Sequence, residues 1–98
     1  MITGPLCRAA RALVEWPRDH LANVSGVNVE AIADFEMRKL DPGVEARVKL
    51  QHALEQGGAL FLPEGNDGLG VRLKFRQRDV RQINRLENEG GPVGEDDI

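Results

Sequence analysis

Residues 21–36 read LANVSGVNVEAIADFE, and the way this stretch breaks decides the fold. Ser25-Gly26-Val27 interrupts the helical pattern with a glycine that takes positive φ at no steric cost. Asn28 follows as a side chain suited to capping a new helix, which carries Ala31, Ile32 and Phe35 at helical spacing. Two short helices joined by a tight turn are therefore predicted here, with the first over about residues 17–24.

Working outward, Thr3-Gly4-Pro5 opens an earlier helix, because Pro at a first helical position gives up no needed N–H. Leu6, Ala9, Ala10, Leu13 and Val14 form its apolar stripe. Trp16-Pro17 ends that helix, since the residue before Pro avoids the α region. Beyond the central pair, Asp41-Pro42 is read as a cap and first-turn Pro for a fourth helix that reaches Gln56 and stops at Gly57-Gly58. Val44, Val48, Leu50 and Leu54 are expected on its buried side.

After the glycines the period changes from helical to alternating. Ala59-Leu60-Phe61-Leu62 is a short apolar run, and Val71, Leu73 and Phe75 alternate with Arg72, Lys74 and Arg76 across a turn-rich PEGNDGLG. A β-hairpin with one apolar and one basic face is predicted. A lone hairpin is marginally stable, so it is expected to close the helical core or to stabilise a dimer. Val80, Ile83 and Leu86 suggest a further short helix, and from Glu89 onward disorder is expected. The organisation predicted is a helical domain over 1–58, a hairpin extension over 59–76, and a short helix with an acidic tail over 77–98.

The composition supports one small, mainly α domain with an aliphatic core: 98 residues, 41% hydrophobic but only 4% aromatic. The net charge of −3 hides an asymmetry. Glu87, Glu89, Glu95, Asp96 and Asp97 lie at the end, leaving residues 1–85 with all 13 basic residues against 11 acidic ones, a body of +2. Cys7 stands alone, which excludes an internal disulfide and a multi-thiolate metal site, and its helical neighbours mark it as a small core residue. No apolar run approaches the roughly 20 residues needed to span a bilayer, and the start lacks the apolar centre of a secretion signal, so no membrane association and a cytoplasmic location are expected.

In a helix-turn-helix unit, a small residue in the first helix admits the second, a glycine makes the turn, and buried residues set the packing. Counting Arg18 as the first position, Leu21, Ala22, Gly26, Val27, Ile32 and Phe35 occupy the fourth, fifth, ninth, tenth, fifteenth and eighteenth. All six residue types suit those roles. From about Ile2 to Phe75, ITGPLCRAARALVEW, PRDHLANVSGVNVEAIADFE, DPGVEARVKLQHALEQGGALFL and GVRLKF together resemble the short, hairpin-ended bacterial regulators of the Xre-like, lambda-repressor-like class. The resemblance implies a four- to five-helix DNA-binding domain with a C-terminal β-hairpin. It also implies a third helix in the major groove and a homodimer on a palindromic double-stranded operator. Glu36 matches the acidic residue these proteins commonly carry at the end of the recognition helix. The chain departs from the pattern at Pro17-Arg18, where Ser-Gln is frequent, and at Val29, where a polar or basic residue is common. It departs again at Asp34, where Arg or Lys is common, and at Arg38, where Gly is common.

Carried over by position, the resemblance puts Arg18 on a phosphate at the start of helix two. It turns Asn28, Val29, Glu30 and Ala31 toward base edges, with Val29 and Ala31 suited to thymine methyls and Glu30 to the cytosine amino group. Asp34 sits one turn after Glu30, where it faces phosphate at a cost, and Arg38 and Lys39 hold the backbone just beyond helix three. His20 and His52 have no partners at metal-ligand spacing. With no nucleophile-base set, phosphate-cradling loop or carboxylate pair, neither an enzyme nor a cofactor is expected. The reading of another class is a protein-interaction module, an inhibitor or antitoxin-like partner, that uses the acidic third helix or the tail against a basic surface.

Overall fold

The computed structural model describes residues 2–74. Four helices come first, α1 (Gly4–Val14), α2 (Arg18–Ser25), α3 (Val29–Glu36) and α4 (Val44–Gln56). A two-stranded antiparallel hairpin follows, β1 (Ala59–Leu62) and β2 (Gly70–Leu73). Phe75 and Arg76 of the expected second strand, the helix expected over 80–86 and the acidic tail lie outside the described residues. Among the described residues no helix is long and apolar enough to cross a membrane.

The ends of the helices follow local chemistry. Thr3 Oγ1 accepts from the Leu6 N–H at 3.3 Å and caps α1. At the other end Glu15 adopts a left-handed conformation, φ 62°, and its N–H donates to the Ala12 carbonyl. The next helix starts at Arg18 behind an extended Pro17, whose carbonyl accepts from Leu21 N–H. Gly26, at φ 79°, closes α2 by donating to the Ala22 carbonyl. Asn28 Oδ1 then accepts from Glu30 N–H at 2.8 Å and opens α3.

The expected start of α4 differs from the observed one. Asp41 and Pro42 precede the helix rather than entering it: Asp41 Oδ1 accepts from the Gly43 N–H at 3.0 Å, and Gly43, at φ 99°, is the N-cap of a helix that begins at Val44. The short side chain satisfied the backbone two residues on instead of three, making a turn before the helix.

A second difference concerns which side of α4 is buried. Leu50, Ala53 and Leu54 are in the core and Ala46 packs against it, whereas Val44 is 59% and Val48 53% exposed. At 3.6 residues per turn, two residues separate side chains by about 200°. Val44 and Val48 therefore stand nearly opposite Ala46 and Leu50. Similarly, α1 buries Cys7, Ala10 and Val14, while Ala9 of the expected stripe is exposed.

These faces meet in one aliphatic core with Ile2, Trp16, Leu21, Val27, Ile32, Phe35 and Ala59. Two glycines allow close approach. A β-carbon on Gly57 would lie 2.5 Å from the Trp16 ring, and one on Gly4 would collide with the Phe35 carbonyl, so the start of α1 sits directly on the end of α3.

The hairpin closes this core from within the chain. Its register pairs Ala59 with Leu73 and Phe61 with Val71, which places these four on one face. Ala59 is buried, and Phe61, Val71 and Leu73 pack against the helical core. The opposite face carries Arg72, as expected, but also Leu60 opposite it, so that face is mixed rather than wholly basic.

Candidate nucleic-acid interface

Glu36, the last residue of α3, is 2% exposed and is the buried charged residue of the described core. Two arginines and a thiol converge on it. Arg11 of α1 grips the carboxylate with two hydrogen bonds of 2.7 Å, Nε to Oε2 and Nη2 to Oε1. Arg18 of α2 adds Nε to Oε1 at 3.1 Å, and the Cys7 thiol donates to Oε2 at 3.2 Å. Arg11 Nη1 reaches on to the Trp16 carbonyl at 3.1 Å. One carboxylate thus links the helices α1, α2 and α3.

Burial pushes the Glu36 carboxyl up, but the hydrogen bonds from Arg11, then from Cys7 and Arg18, outweigh it and hold the group below the ordinary glutamate value. The same contacts raise Arg11, first through its hydrogen bonds to Glu36. Cys7 is pushed far up, by burial first and then by the adjacent carboxylate. A thiol in that state is inert at neutral pH. Cys7 is therefore expected to resist iodoacetamide in the native protein and to be alkylated at the rate of unfolding, which mass spectrometry across a urea series would show. Fast labelling without urea would contradict the geometry.

The remaining site residues predicted from sequence are placed as follows. The Arg18 side chain is 36% exposed, so the guanidinium held by Glu36 still reaches the surface beside the end of α3. Asn28, Val29 and Glu30 are exposed at the N-terminal end of α3, with the Asn28 side chain engaged in the cap. Ala31 is half-buried and packs against the core, and Asp34 is half-buried. The Asp34 carbonyl accepts from the Lys39 and Leu40 N–H groups and turns the chain out of the helix. Arg38 and Lys39 are exposed just beyond α3.

Sequence reasoning singled out Arg18 and Glu36 but missed Arg11, which provides the shorter contacts. Its signal was present: Arg11 lies one turn after Cys7 on the buried side of α1, where a charge requires a partner. Elsewhere His20 makes an edge contact with Trp16, ring centroids 4.5 Å apart. Among the described residues no group of three His, Cys, Asp or Glu side chains is placed to hold a metal ion. No protein-family model and no curated protein matches this chain.

Proposed function

We propose that this protein is a sequence-specific DNA-binding transcriptional regulator of the helix-turn-helix type, presenting α3 to a major groove. The observation that carries the reading is the local geometry at the six spaced positions. Leu21, Val27, Ile32 and Phe35 are buried, Ala22 packs against them, and Gly26 makes the turn at positive φ. That packing leaves Asn28, Val29 and Glu30 outward at the N-terminal end of α3, the end that reads base edges in this mode of docking. Arg18, steadied by Glu36 at the other end of α3, and Arg38 and Lys39 just beyond that end supply the positive charge suited to phosphates.

A single domain of this size buries too little surface to bind tightly and specifically alone, so the proposal includes a homodimer spanning half-sites about 34 Å apart. The apolar face of the hairpin is already used within the chain. The exposed Val44 and Val48 side of α4 is therefore the surface favoured for pairing.

The test is fluorescence anisotropy with DNA from upstream of the protein's own gene, titrated with salt. Affinity that falls steeply with salt is expected. Glu30→Gln should relax preference at one operator position by about 1–3 kcal/mol. Asp34→Asn should strengthen binding to specific and random DNA alike, by removing a repulsion. Exposed Val24 and Val29, the latter next to Glu30 in the chain, favour the second reading, a protein-interaction module. Folded variants that are silent toward DNA at low salt would end the regulator proposal in its favour.

A further inference from the structure

The two arginines that meet Glu36 are held very differently. Arg11 lies side-on to the carboxylate, Nε on Oε2 and Nη2 on Oε1 at 2.7 Å each, with Nη1 on the Trp16 carbonyl and the side chain 15% exposed. Arg18 makes one longer bond, Nε to Oε1 at 3.1 Å, and its side chain is 36% exposed. Among the described residues Arg18 has no other hydrogen bond or ion pair, so its Nη groups remain available to a further acceptor.

The carboxylate accounts for the difference. An ionised carboxyl offers about four acceptor positions on its two oxygens. On Glu36 they are taken: Arg11 Nε and the Cys7 thiol hold Oε2, and Arg11 Nη2 and Arg18 Nε share Oε1. A carboxylate grips a guanidinium best through two parallel bonds. For Arg18 such a grip would need Oε2, the oxygen that Arg11 and Cys7 already occupy.

We infer that Arg11 is a positioning residue for Arg18: by filling Oε2 and sharing Oε1, it limits Arg18 to one internal bond and keeps the rest of that guanidinium at the surface, ready for an anionic oxygen. The anion is operator phosphate, so the inference rests on the function proposed above. Arg11 acts through Glu36. Removing it should therefore draw Arg18 inward rather than free it, because Glu36 stays buried with Arg18 as its remaining cation and both oxygens open to its fork. A merely structural role for Arg11 gives the opposite sign, a looser core with Arg18 more exposed.

The experiment treats the folded full chain with phenylglyoxal, which attacks exposed guanidinium groups, and locates the adducts by mass spectrometry. Arg18 should be labelled severalfold more slowly in Arg11→Met than in the unaltered protein, while the exposed Arg8 and Arg38 keep their rates. Arg11→Lys supplies a single charged donor group in place of a fork and should give an intermediate rate. That variant decides the matter if Arg11→Met does not fold. Fluorescence anisotropy with a short duplex is the second readout. Arg11→Met should reduce the slope of log affinity against log salt by about 1, as Arg18→Met does, and the double substitution should reduce it no further. Arg18 labelled as fast or faster in the folded variants would overturn the inference, and so would slower labelling with an unchanged salt slope. A duplex that the unaltered protein ignores at low salt would instead remove the operator reading, and the labelling alone then decides whether Arg11 holds Arg18 outward.

Discussion

Replacing Glu36 with alanine is expected to destabilise the protein by about 3–5 kcal/mol, the usual cost of removing one member of a buried ion pair. The reason is what the substitution leaves behind. Arg11, 15% exposed, would keep its charge in the core with no carboxylate, and Cys7 would lose its acceptor. At about 4–8 °C per kcal/mol for a chain of this size, the midpoint of thermal unfolding should fall by about 20 °C. A loss under 1 kcal/mol in urea denaturation would show that the cluster is not what joins α1, α2 and α3. Replacing Glu36, Arg11 and Arg18 together with apolar side chains of similar volume should cost much less, because no charge is then stranded.

The same group predicts a pH dependence. Since Glu36 is held below its ordinary value when folded, the unfolded chain takes up this proton first as the pH falls. Its contribution is therefore complete above about pH 5, is lost progressively as the pH drops through the ordinary glutamate range near about 4.3, and continues falling toward the lower folded value. Glu36→Gln should flatten that acidic limb while lowering stability at neutral pH. An unchanged limb would assign the acid sensitivity to other carboxylates.

The second large effect separates two neighbours on α4. Leu50→Ala is expected to cost about 2–5 kcal/mol, because Leu50 is fully buried in the core and its removal leaves a cavity. Val48→Ala, two residues earlier, should change the stability of the monomer by no more than about 0.5 kcal/mol, because that side chain faces outward. Both values come from urea midpoints at constant slope. Equal losses at the two positions would mean that α4 is rotated relative to the packing described.

Local chemistry made much of the chain legible before any fold was known. Thr3, Gly26, Asn28 and Gly57 mark helix ends by satisfying nearby backbone groups or by turning the chain, and those acts involve residues within a few positions of one another. The change from helical spacing to alternation at Ala59 likewise announced the hairpin, and its strands pair as the pattern implied. Even the placement of Val48 was decidable in principle, since the helical period alone sets it about 200° from Leu50.

Tertiary structure decided the rest, because it concerns partners far apart in sequence. Arg11 and Glu36 are 25 residues apart, and Gly4 meets Phe35 only because α1 docks on the end of α3. The position of Arg11 on α1 states that its charge needs a partner, but no local pattern states which residue will supply it. The Asp41–Arg47 pair is likewise decided by the fold. Asp41 and Arg47 look like an ordinary surface pair along the chain. The folded geometry has Asp41 Oδ1 accept from the Gly43 N–H and sets it 3.6 Å from the buried Arg47 Nε. Sequence by itself thus determined the helices, the caps of α1 and α3 and the turn between α2 and α3, whereas long-range packing in a medium of low polarity determined which charges pair.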